Sequence, residues 1–171
     1  SIFHRGIMKA FFTGHRYIDN GWNRQINQLI DLALQLNVQE FYSGMARGTD
    51  LTAAEVLTSR KLKWNAIIPC KNQDELWKIS DKNRYAKVLK SASNVKILYP
   101  TYSPGVMQAR DKWLVNHCDL CLGIYDGREE GGTALTIKMA ICRNIRIIVI
   151  NPMNNKIFLH EPQFHQLSLF E

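Results

Sequence analysis

No apolar run in this chain approaches the roughly 20 residues that a bilayer-crossing helix needs, and the longest, 145–150, is only strand-sized. The start carries no apolar stretch followed by small residues, so a secretory signal is not expected. Cysteine is scarce: four in 171 residues do not make a disulfide framework. Cys70, Cys118, Cys121 and Cys142 lie at or near apolar segments, where a free thiol behaves as a small buried hydrophobe. Cys118 and Cys121 form a C-x-x-C beside His117, but zinc takes about four ligands and no second pair stands at metal spacing. No metal site is expected. Internal repeats, low-complexity linkers and single-sign charge blocks are also missing. These absences leave one cytoplasmic α/β domain as the expectation.

What is present is an excess of positive charge. Twenty-two Lys and Arg against 15 Asp and Glu give a net charge of +7, which favours anionic partners such as nucleotides, nucleic acid or acidic proteins. The basic residues are scattered, so charge alone does not establish DNA binding. Met8-Lys9 reads as a natural start, with 1–7 an upstream extension outside the fold.

Strand-like and helix-like patterns alternate along the chain. Strands are predicted over 8–13, 41–42, 64–68 (stopped by Pro69), 95–99, 120–125 and, last, 146–150. Helices are predicted from about 21, with Ile26, Leu29, Ile30, Ala33, Leu34 and Leu36 on one side, and over 50–61, 74–91, 107–117 and 133–142. Near-continuous apolar strands separated by helices predict a single Rossmann-like, doubly wound, mostly parallel sheet with helices on both faces. A polar tail, 153–171, follows the domain over 8–152.

In such a sheet ligands bind beyond the carboxyl ends of the strands, and three of these ends carry glycine. In Thr13-Gly14-His15-Arg16 the glycine permits close backbone approach, Arg16 offers a forked donor for phosphate, and His15 suits proton transfer or hydrogen bonding near neutral pH. A plain turn with solvated His and Arg explains the same residues. In Ser43-Gly44-Met45-Ala46-Arg47-Gly48-Thr49-Asp50 two glycines four apart, just before a helix, can offer successive N–H groups to an anion. Thr49 or Asp50 suits a helix cap; Asp50 equally suits orienting Arg47 or meeting a ribose hydroxyl. The loop is neither a P-loop nor a G-x-G-x-x-G. The third, Asp126 through Thr133, places Gly131-Gly132-Thr133 at a helix start, with Asp126, Glu129 and Glu130 as candidate ribose ligands, candidate catalytic acids or bases, or simply a solvated acidic loop.

At these loops the sequence resembles the SLOG superfamily, Rossmann-like domains named for DprA and the LOG phosphoribohydrolases. Ser43-Gly-Met-Ala-Arg-Gly-Thr-Asp50 is similar to the S-G-x-A-x-G-x-D loop of the DNA-processing protein DprA. Arg110-Asp-Lys-Trp-Leu-Val-Asn-His-Cys-Asp119, Leu120-Cys-Leu-Gly-Ile-Tyr-Asp-Gly127, Gly131-Gly-Thr-Ala134 and Thr13-Gly-His-Arg16 resemble YpsA-like proteins. So does Asp81-Lys-Asn-Arg-Tyr85, whose Arg84 either approaches the site or lies on a solvated helix face. Arg110 and Asp111 read as ligand contacts or as an ordinary surface pair. The resemblance implies a nucleotide, a nucleotide-derived ligand or nucleic acid at the strand ends, with no further cofactor required. LOG enzymes carry P-G-G-x-G-T-x-x-E; here Ala134-Leu135-Thr136-Ile137 follows Gly-Gly-Thr, and the absent Glu weighs against LOG-type hydrolysis.

The end of the tail, Gln166-Leu167-Ser168-Leu169-Phe170-Glu171, is similar to the Q-L-S/D-L-F peptide with which bacterial proteins dock on the replisomal sliding clamp. Leu169 and Phe170 suit an apolar pocket and Gln166 its rim, unless Leu167, Leu169 and Phe170 pack back on their own domain. Three functions follow as expectations: nucleotide-ligand binding recruited to replication or repair through the tail, N-glycosidase or phosphoribohydrolase activity, and DprA-like single-stranded DNA binding. Oligomeric state stays open, a homodimer included.

Overall fold

A computed structural model describes residues 6–17 and 22–163. Seven strands and five helices follow one another as β1 (Lys9–Gly14), α1 (Asn23–Gln35), β2 (Glu40–Ser43), α2 (Thr49–Ser59), β3 (Trp64–Cys70), α3 (Ile79–Leu89), β4 (Asn94–Tyr99), α4 (Val106–His117), β5 (Leu120–Ile124), α5 (Gly132–Cys142), β6 (Arg146–Ile150) and β7 (Ile157–His160). They form one sheet of order β4-β3-β2-β1-β5-β6-β7, parallel throughout except for β7, which pairs antiparallel with β6. This is the expected Rossmann-like, doubly wound α/β architecture.

Alternation along the strands sorts the core into two layers. Ala10 and Phe12 of β1 face one way with Phe41, Ala66 and Ile68, and meet Ile26, Leu29 and Ile30 of α1, Leu51 and Leu57 of α2, and Tyr85 and Val88 of α3. Phe11 faces the other way with Tyr42, Ile67, Cys121 and Val149, and meets Leu114 and Val115 of α4 and Ile137 and Ala140 of α5. Period-two burial on both faces is what near-continuous apolar strands encode.

Four expectations need correction. Strand β3 continues through Pro69 to Cys70, because its last pair with β2 is Ser43↔Ala66 and the proline lies past it, where a missing N–H removes no bond to that neighbour. Helix α3 starts at Ile79, not at 74: the Gln73, Glu75 and Trp77 amides close short turns on Cys70, Asn72 and Asp74, the Asn72 side chain bonds Glu75 locally, and Gln73 is drawn inward to the Met45 carbonyl. Residues 157–160, expected in a polar tail, are strand β7, joined to β6 by a turn in which the Asn151 N–H donates to the Lys156 carbonyl. Finally, Cys142 is exposed and Leu34 is 37% exposed, so neither belongs to the core.

A candidate ligand crevice at the strand switch point

The chain steps outward from β1 through β2 and β3 to β4, then returns through α4 to place β5 on the other side of β1. The loops leaving β1 and β5 therefore diverge, and register Gly14↔Ile124 sets their strand ends level. That divergence opens the crevice in which ligands of open α/β sheets sit. Here it is a cavity of about 950 Å³, bordered by the first and third glycine loops, the floor residues Asp50 and Arg110, and Tyr102 and Met107.

His15 and Asp126 face each other across the switch point. The Asp126 N–H donates to His15 Nε2 at 3.2 Å, and an Asp126 carboxylate oxygen lies 3.4 Å from the same nitrogen. Accepting that N–H requires a neutral imidazole with its proton on Nδ1. Burial, with the nearby Arg128 guanidinium adding to it, holds the His15 pKa below its ordinary value despite the opposing pull of Asp126. The ring sits 6.1 Å from both Trp22 and Tyr125. Asp126 is gripped by Arg128, whose Nε and Nη2 donate at 3.0 and 2.6 Å, and this bond holds the carboxyl well below the usual range.

The second loop packs beneath the first. Gly48 has φ +83°, and a Cβ there would meet the His15 and Arg16 carbonyls; a Cβ on Gly14 would overlap the Thr49 side chain. Thr49 donates both its N–H and its hydroxyl to the His15 carbonyl, at 3.2 and 3.1 Å. Buried Ser43 donates to the Asp50 carbonyl and accepts the Met45 N–H. Thr13 is buried at the end of β1. Ser43, Gly44, Gly48 and Thr49 thus hold the two loops together rather than point into the crevice.

Asp50 does reach the crevice, but not as a side-chain cap. Gly48 is the N-cap of α2, with no side-chain cap bond, and the Asp50 carboxylate accepts the Ala46 N–H at 3.4 Å. Burial pushes its pKa up to about 7, against the pull of Arg110 and Arg16. Beside it Arg110 is buried, donating to the Gly44 carbonyl and to Asp111, both at 2.6 Å, and its guanidinium fills the space a Cβ on Gly44 would need. Arg110 is therefore a buried tie between α4 and the second loop; the surface-pair reading fails because its apolar stem and head are both enclosed.

The third loop is open. Gly131, with φ +107°, caps α5, and Cβ atoms on Gly131 or Gly132 would meet nothing within 4 Å. The first N–H groups of α5 have no helical partner, and Gly131, Gly132 and Thr133 border this space. Glu130 borders the crevice and Glu129 does not, and both side chains are exposed. Among the candidate acids only Asp126 has a defined setting.

Arg47 departs from the expected cluster. Its guanidinium lies 5.6 Å over the Trp77 ring and borders a neighbouring groove, away from Asp50. Arg84 lies in that groove too, bonded to Glu55 and Asp81. Trp22, Tyr102 and Arg128 border the crevice without having been singled out from sequence; Arg128 had a usable signal, sitting next to Gly127 in a loop already chosen. The tail peptide, Gln166 to Phe170, lies outside the described residues.

A mostly parallel sheet whose first two glycine loops interlock beside the β1/β5 switch point defines a SLOG-type Rossmann-like domain. The YpsA family model, described as the YspA SLOG family, matches residues 6–152, and the chain belongs to that family. A UPF0398 protein of Brevibacillus brevis is 31% identical over 100 residues, covering 54% of this chain and 53% of its own. DNA processing protein A of Streptococcus pneumoniae superposes with a TM-score of 0.66 at 16% identity, over 85% of this chain and 50% of that one. The Helicobacter pylori protein, whose structure concerns its single-stranded DNA binding mode, gives 0.65 at 17%, over 87% and 67%. This chain thus spans about half the length of the first two. Among the described residues, no helix is long and apolar enough to cross a membrane.

Proposed function

We propose that the crevice binds a nucleotide or nucleotide-derived ligand, without a further cofactor, and that the sheet domain, β7 included, is the binding domain of a cytoplasmic protein. The observation that carries this is the meeting, at one switch point, of an open Gly131-Gly132-Thr133 helix start with Arg16 and Arg128. Backbone N–H groups and the α5 dipole favour a phosphate there, Arg16 adds a forked donor, and Trp22 and Tyr102 supply aromatic surface for a base. A panel of nucleotides and ADP-ribose-like compounds should raise the melting temperature, and Arg16→Ala should reduce the shift. Failure of every compound would refute the proposal.

Catalysis is the weaker reading. Asp126, the one carboxylate held in place, is already paired with Arg128 and His15, and nothing fixes Glu129 or Glu130. If an N-glycosidase operates here, free base must appear on incubation with AMP, CMP or NAD. Single-stranded DNA binding draws support from the +7 charge and the fold shared with Helicobacter pylori DNA processing protein A; it must weaken steeply with salt. For the tail we propose sliding-clamp docking through Gln166, Leu167, Ser168, Leu169 and Phe170. Deleting 166–171 should abolish clamp capture in a pull-down, and unchanged capture would end that proposal.

A further inference from the structure

One edge of the sheet is left open. Strand β4 pairs with β3 and, among the described residues, with nothing on its other side, so its outer row of backbone N–H and C=O groups has no partner strand. Apolar residues fill most of this strand, yet five of its six residues are exposed.

The two faces of β4 differ in chemistry. Val95, Ile97 and Tyr99 register with Ala66, Ile68 and Cys70, and Ala66 and Ile68 lie in the layer under α1, α2 and α3. Farther out the cover fails: the three β4 side chains stay 44–47% exposed, an apolar stripe along the edge. On the opposite face Leu98 packs into the α4 layer, and the Lys96 ammonium lies 6.0 Å over the Trp113 ring of α4. A lysine can guard an edge strand against pairing, but this one lies back on α4 and leaves the backbone row open.

Charge decides what fits. From Lys82 to Pro100 the sequence carries Lys82, Arg84, Lys87, Lys90 and Lys96 and no Asp or Glu. Arg84 is bonded to Glu55 and Asp81. Lys87, Lys90 and Lys96 are exposed and, among the described residues, have no carboxylate within ion-pair distance. Lys87 and Lys90 stand at the end of α3, where the chain turns into β4. A second copy of the chain would bring a second set of lysines to this edge, whereas an acidic segment neutralises the first.

We infer that β4 is a docking edge for an acidic protein partner, which adds an extended segment as a further strand. Its apolar side chains lie beside Val95, Ile97 and Tyr99, and its carboxylates beside Lys96. Backbone hydrogen bonds to the free edge supply affinity, and the two faces supply selection, because alternate residues of an added strand point to opposite faces. The partner segment is therefore one in which acidic and apolar residues alternate. No residue of β4 borders the strand-end crevice, so this docking needs no nucleotide.

The probe is a fluorescein-labelled peptide of alternating glutamate and valine, eight residues long, titrated into the full chain by anisotropy. The controls are the same residues arranged in two blocks, and a peptide alternating lysine with valine. The alternating acidic peptide should bind at least about tenfold more tightly than either control. On binding, hydrogen exchange over 94–99 should slow while the inner strands are unchanged, a readout that needs no variant. Lys96→Glu should weaken the acidic peptide about tenfold and tighten the lysine peptide about threefold or more. Ile97→Thr, which keeps the preference for a strand, should weaken the acidic peptide about threefold or more; melting curves confirm that both variants fold. Equal binding of the alternating and block peptides, absence of binding, or binding without protection of 94–99 overturns the inference. Dimers of the free chain with 94–99 already protected would put a second copy on the edge, and displacement of the peptide by an eight-thymidine strand that protects 94–99 would assign it to nucleic acid. Either result overturns the inference too.

Discussion

Replacing Arg110 with alanine is expected to be among the most damaging single changes outside the hydrophobic core. The side chain is 5% exposed and makes bonds of 2.6 Å to the Gly44 carbonyl and to Asp111. Its charge also acts on buried Asp50, together with that of Arg16. Truncation leaves a buried carbonyl short of a donor, Asp111 without its bonded cation, Asp50 with less positive charge nearby, and a void against Gly44. Removing one partner of a buried pair costs about 3–5 kcal/mol. For a domain of this size each kcal/mol lowers Tm by about 2–4 °C, so a fall of about 6–20 °C is expected. Urea and thermal melts followed by circular dichroism at pH 7 measure both quantities. Combining the change with Asp111→Asn should cost less than the sum of the singles by at least about 1 kcal/mol, since the second change removes a charge the first has stranded. A loss under about 1 kcal/mol for Arg110→Ala, or strict additivity in the double variant, would refute the buried-tie reasoning.

Other perturbations act on the same loops. Gly48→Ala meets two carbonyls in a left-handed conformation and should lose at least about 2 kcal/mol by chemical denaturation, whereas Gly132→Ala, in open space, should leave Tm nearly unchanged. Asp50 holds its proton more tightly folded, with a pKa near 7, than unfolded. Stability should therefore fall as pH rises from about 4 to about 7 and level off above, and Asp50→Asn should remove this component from melts taken across that range. His15 has the opposite sign: its folded pKa is lowered, so stability should decline as pH falls below about 6.5, and His15→Gln should abolish that decline.

The inner strands were legible in sequence because their burial is two-sided, while β4 was legible from its apolar run although it is largely exposed. Phe11 and Phe12 point to opposite layers, and so do Ile147 and Ile148, which makes their strands continuous apolar runs. Strand β7 was not legible as such, because Ile157, Phe158 and Leu159 form a short edge exposed at 41–58%. The asparagine-rich turn at 151–155 between two apolar runs was the available hairpin signal. Glycine spacing marked loops that lie at the strand ends, but not how each glycine packs within them. Gly14 makes room for the Thr49 side chain and Gly48 lets two backbones touch, whereas Gly131 and Gly132 leave space open, and only tertiary packing separates these cases. Arg47 turns to Trp77 and Arg110 turns inward for the same reason: each direction depends on an element distant in sequence.

The most direct measurement is a crystal structure of the chain grown with the nucleotide that gives the largest thermal shift. We expect a phosphate oxygen about 3 Å from the Gly132 and Thr133 N–H groups, with Arg16 turned onto the same phosphate and the base beside Trp22 or Tyr102. A nucleotide bound away from the β1/β5 switch point, with the helix start of α5 left to solvent, would contradict the assignment of the crevice.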